Sequence, residues 1–187
     1  EYINNFILSK IEYCHFFLPE LKRFSDEEKI KQIENEILEK DLINYEENRK
    51  KGENDSHICS LIRQDSVEEF ISYVNQLNIP LSSQIIPSIF ETNSFLIENK
   101  PTLIEYSIFY GSIKILIYLL NNKVELTSSM WLYAIHSNND EIIGILEENK
   151  IEPKNGNFLY CYLESIKCHH NNIASYIKEN HLNNEID

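Results

Sequence analysis

The chain has 187 residues, of which 42% are hydrophobic, and it carries a formal net charge of −13. With only four glycines and five prolines, it is predicted to be folded and mostly helical, as one large domain or two small ones. The negative charge argues against nucleic acid and anionic membrane surfaces as partners, because both are bound through Lys and Arg. It favours basic protein partners instead.

Four cysteines are too few for a disulfide-rich secreted scaffold, so we expect a reducing, cytoplasmic environment. No apolar run reaches the roughly 18 residues that a membrane-spanning helix needs, and we therefore expect no membrane insertion. Because the sequence begins with Glu1 rather than Met, we expect it to be a fragment of a longer protein.

The N-terminal part is predicted to form a pair of helices. Apolar residues spaced three or four apart indicate an amphipathic helix over 1–20, which Pro19 is expected to end. Ser25 and Glu28 form a capping box that predicts the start of a second helix. The polar stretch 44–56 is the expected boundary to the rest of the chain. It predicts either a solvated helix end with a loop or a flexible hinge.

Beyond this boundary, a block of two apolar segments separated by a polar turn occurs four times. The matched turn residues are Asp65, Gly111, Asn138 and His169, at intervals of 46, 27 and 31 residues. Each block predicts two short helices joined by a residue with positive φ, which Gly adopts freely and Asn tolerates. The wide first interval contains residues 78–101, whose three prolines predict an extended insertion with one helical turn near 88–92.

The blocks also predict which side chains are buried. Ser107, Ala134 and Ser165 hold a small position in the first helix, where adjacent first helices can pack closely. The second helices are expected to bury an apolar face, and Trp131 is expected in the core. The residues expected on that face are Ile115, Leu116, Leu119, Leu120, Ile142, Ile143, Leu146, Ile173 and Ile177.

The blocks resemble the ankyrin repeat. Thr102 and Ile104 stand at the Thr and Leu of the family's Thr-Pro-Leu-His-x-Ala signature, Ser107 at its Ala and Gly111 at the Gly that follows. The Pro and His of the signature are missing from every copy, and the intervals of 27 and 31 residues are shorter than usual for the family. In phrases such as ETNSFLIENKPTLIEYSIFYGSI, residues 53–182 are also similar to a divergent ankyrin-type domain expanded in some protists.

The resemblance implies an all-α fold, with an N-terminal helical segment at 1–52 and a short ankyrin-like helical solenoid of about four repeats at 53–187. It also implies a non-enzymatic scaffold or adaptor that binds a protein partner through its concave face and the tips between repeats. The alternative is an architectural subunit of a large complex such as a cytoskeletal array. Ankyrin stacks bind many unrelated targets, so the resemblance does not name the partner.

The candidate partner surface comes from the same resemblance, because an ankyrin first helix faces the concave groove just before its turn. Tyr and Arg at such positions are favoured as binding anchors. The alternative is that the aromatic side chains pack on the neighbouring repeat or on the 78–101 insertion, and both remain open. The candidate residues are Arg63, Gln64, Tyr106, Phe109, Tyr110, Tyr133, His136 and Lys167, with Glu164 and Cys168 beside Lys167 in the last copy.

The sequence predicts no catalytic residue, no cofactor and no metal site. Cys161, Cys168, His169 and His170 come nearest to a zinc set, but paired C-x-x-C spacing is absent and adjacent histidines tend to point apart. Cys59 and His57 lack an oxyanion scaffold nearby, and neither type of glycine-rich phosphate loop is present. We therefore expect no enzymatic activity.

Overall fold

The computed structural model describes residues 11–23, 27–39 and 44–182. These residues form helices joined by turns and contain no β-strand, which confirms the predicted all-α class. Among them, no helix combines the length and apolar character needed to cross a membrane. In chain order the helices are α1 (Ile11–Phe16), α2 (Leu18–Leu21), α3 (Glu27–Glu39), α4 (Tyr45–Lys51), α5 (His57–Arg63), α6 (Val67–Gln76), α7 (Ser94–Asn99), α8 (Leu103–Phe109), α9 (Ile113–Asn121), α10 (Met130–Ser137), α11 (Asp140–Glu148), α12 (Phe158–Lys167) and α13 (Asn171–His181).

The chain divides into two compact units. The first comprises residues 1–56 and 86–99, and the second comprises residues 57–85 and 100–187. The second unit therefore begins close to the boundary expected from the polar stretch. The first unit also contains part of the segment that was predicted as an insertion.

The first unit has its own small apolar core. Cys14, Leu18, Leu21 and Ile30 are buried in it, and Phe17, Ile33 and Tyr45 pack against them. Pro19 was expected to end the first helix, but it lies in the first turn of α2, where its missing N–H is not needed. The predicted helix over residues 1–10 and the cap at Ser25 lie outside the described residues.

The polar stretch 44–56 contains a helix, α4, rather than only a helix end and a loop. Tyr45 donates a hydrogen bond from its hydroxyl to the Phe16 carbonyl at 3.1 Å. Arg49 donates to the same carbonyl at 2.7 Å and lies over the Phe16 ring. Burial raises the pKa of Tyr45 to about 12, so its hydroxyl keeps the proton that it donates. These contacts hold α4 against α1 and α2.

Residues 86–99 pack on the loop that follows α4. Thr92 donates from its hydroxyl to the Gly52 carbonyl at 2.8 Å, and Asn54 donates from its amide to the Ile86 carbonyl at 2.8 Å. The helical turn expected near 88–92 is wrong in position, since the helix of this segment is α7. Its start is capped by Asn93, which accepts from the Leu96 amide at 3.2 Å.

The second unit consists of four helix pairs, α5/α6, α8/α9, α10/α11 and α12/α13. The two helices of each pair contact each other. The first helices also contact one another in chain order, from α5 through α8 and α10 to α12, and α6 contacts α9. Each of the first three pairs thus packs against the pair that follows it in the sequence.

The turn residue of every pair has positive φ, which confirms the sequence prediction. The φ values are 50° at Asp65, 68° at Gly111, 50° at Asn138 and 60° at His169. The small residues predicted in the first helices are also confirmed, because Ser107, Ala134 and Ser165 are fully buried. The buried hydroxyls of the two serines donate to the carbonyls of Ile104 and Tyr162, at 2.7 Å each. A small residue with a satisfied hydroxyl therefore fits where alanine would.

Hydrogen bonds at the turns connect neighbouring pairs. Ser112 follows the turn of the second pair and donates from its hydroxyl to the Ile62 carbonyl of the first pair at 2.5 Å. His170 follows the turn of the fourth pair, and its Nδ1 lies 2.8 Å from the Ile135 carbonyl of the third pair. Because a carbonyl only accepts, Nδ1 of His170 carries a proton. In both cases the residue directly after the turn residue forms a hydrogen bond with the preceding pair.

The turn at Asp65 makes a connection in the opposite direction. Its carboxylate accepts hydrogen bonds from the backbone N–H groups of Lys114 and Ile115, at 3.0 Å each. These amides belong to the first turn of α9, where the positive end of the helix dipole favours a negative charge. Asp65 therefore forms the turn of its own helix pair and also caps the N-terminus of a helix in the following pair.

The turn conformation predicts opposite effects for two Gly→Ala substitutions. Gly111→Ala is expected to destabilise the protein by about 1–2 kcal/mol, because a Cβ is unfavourable at positive φ and would lie 3.2 Å from Asn139 Nδ2. Gly144→Ala, within α11, is expected to stabilise by about 0.5–1 kcal/mol, because a Cβ there meets nothing within 4 Å. Urea unfolding of both variants measures the difference. Changes of equal sign would contradict the turn assignment.

Candidate partner-binding surface

The last turns of the first helices bring most of the candidate residues into one row across the four pairs. Each member of the row contacts the next, through a ring contact, a hydrogen bond or an ion pair. We call this row the turn-side strip. Its members in order are Arg63, Tyr110, Phe109, His136, Glu164 and Lys167.

Arg63 begins the strip in the first pair. Its guanidinium donates to the Tyr106 hydroxyl at 2.8 Å and lies 5.8 Å from the centroid of the Tyr110 ring, a cation–π geometry. The Tyr106 and Tyr110 rings are themselves 4.7 Å apart. Burial raises the pKa of Tyr106, so its hydroxyl is neutral and accepts the arginine N–H. Arg63 is thereby held in one orientation by the second pair.

Three rings form the centre of the strip. Phe109 packs edge to face on Tyr110, with ring centroids 5.0 Å apart, and stacks on His136 of the next pair at 5.6 Å. All three side chains are half-buried, so each presents part of its ring to solvent. The centre of the strip is therefore an aromatic surface whose rings are fixed by one another.

Glu164 connects the third and fourth pairs. Its carboxylate lies 3.1 Å from His136 Nε2 and 3.0 Å from Lys167 Nζ, although the residue is only 7% exposed. Burial lowers the pKa of His136, so the ring is neutral at pH 7, and its Nε2 donates because a carboxylate only accepts. Glu164 raises the pKa of Lys167, which supplies the compensating positive charge.

His136, Glu164 and Cys168 also form a possible set of metal ligands, with one atom from each within 4.8 Å of the others. However, Cys168 Sγ is 3.6 Å from Nδ1 and 3.8 Å from Nε2 of His136, so it lies at nearly the same distance from both ring nitrogens. Burial raises the pKa of the Cys168 thiol, which favours the protonated form. The three side chains form a polar network, in which Glu164 bonds Nε2 and the thiol lies beside the same ring.

Two of the candidate residues do not lie on the surface, so their prediction as partner contacts is wrong. Tyr106 and Tyr133 are only 1% and 2% exposed, because both lie one helical turn before the strip and face neighbouring helices. Burial raises the pKa of Tyr133 as well. Gln64 is exposed but donates to the Ser60 hydroxyl of its own helix at 3.1 Å, outside the row. The other five candidates are brought together by the fold.

The residues considered for zinc from the sequence do not gather into one site. Cys161 is buried in α12, His169 is exposed at the turn, and His170 bonds the Ile135 carbonyl. The ligand-like group that does form pairs Cys168 with His136, which lies in the preceding helix pair. The two residues are far apart in the sequence, so their proximity is not visible from sequence spacing. Only the alignment of the repeated blocks, which places both just before or at a turn, indicated that they could meet.

No family model, curated protein or solved structure matches this chain. The resemblance to ankyrin repeats therefore rests on the residues quoted above. What that resemblance implies about partner binding remains a prediction.

Proposed function

We propose that the protein is a non-enzymatic binding module, in which ankyrin-like helix pairs hold the turn-side strip as a contact surface for a protein partner. The observation that carries this proposal is the continuity of the strip across all four pairs. Arg63, Phe109, Tyr110 and His136 are each ordered by contacts within the protein. A surface that is ordered before binding loses little conformational entropy on docking.

The strip also indicates the chemistry of the partner. The net charge of −13 favours basic partners at long range. Locally, however, the aromatic centre of the strip lies beside the basic side chain of Arg63, whereas the charge of Lys167 at the other end is compensated by Glu164. We therefore expect an apolar partner segment that carries an acidic residue on at least one side.

The double substitution Phe109→Ala with Tyr110→Ala is expected to weaken partner capture at least about tenfold, because aromatic anchors dominate protein interfaces. The measurement is quantitative mass spectrometry of proteins retained from the source cell by the immobilised chain. Tyr118→Ala is the matched control, since Tyr118 is also half-buried but lies in α9 and packs against Phe70.

Thermal unfolding of each variant separates loss of binding from loss of fold. Captured sets that are identical for the wild type, the double variant and the control would contradict the proposed function. A partner lost equally in the double variant and in Tyr118→Ala would place the contact elsewhere on the protein. Tyr106 and Tyr133 are unsuitable for this test because their removal would leave cavities.

A further inference from the structure

One face of α12 is apolar and open to solvent. Its large side chains lie three or four residues apart, which places them in one row along the helix. We call this row the α12 apolar face. It consists of Leu159, Tyr160, Leu163 and Ile166, which are 41%, 59%, 52% and 44% exposed. The other large exposed apolar residues of the described chain lie singly on different segments, as is usual for protein surfaces.

The position that Ile166 holds in this face is covered in the three earlier pairs. Ile62, Ile108 and Ile135 stand three residues before their turn residues, as Ile166 does, and all three are fully buried. In two of the pairs the next pair along the chain lies against this position, since Ser112 bonds the Ile62 carbonyl and His170 bonds the Ile135 carbonyl. The α12 apolar face therefore has the character of a surface that packs against another helix pair.

The last pair is also nearly neutral, although the chain is strongly acidic. Residues 150–182 carry four basic and three acidic side chains, whereas the whole chain has a net charge of −13. Two copies that met through another surface would bring large negative charges together, and contact at the last pair avoids most of this repulsion. The seven charged residues are Lys150, Glu152, Lys154, Glu164, Lys167, Lys178 and Glu179.

The row is self-complementary. Leu163 lies near the middle of α12, with Leu159 and Ile166 at similar distances on either side. A two-fold axis at Leu163 would pair Leu159 of one copy with Ile166 of the other. It would also bring Lys167, whose side chain is 75% exposed, toward Glu152 of the second copy, because the Glu152 carboxylate lies beside Gly156 at the other end of the helix.

We propose that the α12 apolar face binds a second copy of this chain, with the two α12 helices antiparallel across a two-fold axis at Leu163. Such an isologous contact closes at two copies and does not extend into a filament. The face is small beside the roughly 20–30 residues that each side of a standard interface contributes, so the dimer is weak and reversible. This inference shares Lys167 with the turn-side strip but does not rest on partner binding there.

Sedimentation equilibrium of the full chain, from about 1 to 300 μM, tests the proposal. The mean mass is expected to rise from 22.1 kDa and to level off at twice that value. Leu163→Glu places two like charges at the axis and is expected to weaken the dimer at least about a hundredfold. Leu77→Glu is the matched control, because Leu77 is 53% exposed on another helix pair and should leave the dimer unchanged.

Cysteine cross-linking tests the axis. Leu163→Cys is expected to form a disulfide-linked dimer under mild oxidation, because a residue on a two-fold axis meets its own copy. Leu77→Cys should not do so, and the oxidised wild type shows how much Cys168 contributes, since the other three cysteines are buried.

Three results would overturn the proposal. These are a wild-type monomer at every concentration, a mass that continues to rise beyond two copies, and a dimer that Leu163→Glu leaves intact. The first includes the case in which another part of the same chain covers the face. Circular dichroism shows whether the variants are folded. The wild-type mass and the cross-link keep the test decisive even if Leu163→Glu fails to fold.

Discussion

Trp131→Ala is expected to lower the free energy of unfolding by about 3–5 kcal/mol, the largest effect of any single substitution considered for this protein. Trp131 is fully buried in α10, with its ring centroid 4.9 Å from that of Phe158 and 5.9 Å from that of His181. Its removal would leave a cavity between the third and fourth helix pairs. Because a domain of this size is stable by about 5–15 kcal/mol, the variant should lose a large part of its stability.

Trp131→Phe separates the packing of the indole from its hydrogen bond. The indole Nε1 donates to the Ile151 carbonyl at 2.7 Å, and phenylalanine keeps much of the apolar volume without this donor. We expect a loss of about 1–3 kcal/mol for this variant. Both are measured by urea unfolding at a protein concentration too low for dimers. A loss below about 2 kcal/mol for Trp131→Ala would contradict its place in the core.

Leu119→Ala is expected to destabilise the second unit by about 2–5 kcal/mol. Leu119 is fully buried in α9 together with Ile115 and Leu116, so truncation creates a cavity in the apolar face of this helix. The helix contacts both α8 and α6, and a loosened face therefore weakens the connection between the first and second pairs. Urea unfolding followed by circular dichroism measures the loss.

Ile117→Ala is the matched control for Leu119→Ala. Ile117 lies on the same helix two residues earlier, but it is 45% exposed, so its truncation removes little buried surface. We expect a change below about 1 kcal/mol. Equal losses for the two variants would mean that the buried face of α9 is wrongly assigned. A loss below about 1 kcal/mol for Leu119→Ala would contradict the assignment of Leu119 to the core.

The helix pairs of the second unit were predictable because their signals are local. A turn residue at positive φ and an apolar face after it recur in each copy, with a small residue before the turn in the last three, and all lie within one pair. Prediction was poorer in the first unit. Helix α4 has a polar sequence and depends on Tyr45 and Arg49 binding a carbonyl of α1, while α7 is six residues long. Short helices are stabilised by tertiary contacts more than by their own sequence.

The turn-side strip was predictable in position but not in detail. Matching the copies placed Phe109 and His136 at the same level, and the two rings do stack. The same matching could not show that Tyr106 and Tyr133 point inward. Successive residues of a helix point in different directions, so a small rotation of the helix about its axis decides which side chain is covered. The network around Glu164 joins residues of two pairs, so its contacts depend on how those pairs pack.

The sequence by itself determined that this protein is all-α, where its repeated helix pairs turn, and that Trp131 and Leu119 belong to the core. Those features depend on backbone conformation and on apolar periodicity within a short stretch of chain. Only the tertiary structure decided which side chains the turn-side strip presents, that Glu164 bonds both His136 and Lys167, and that the α12 apolar face is left open. Each of these depends on whether another helix covers the residue, which spacing along the chain does not specify.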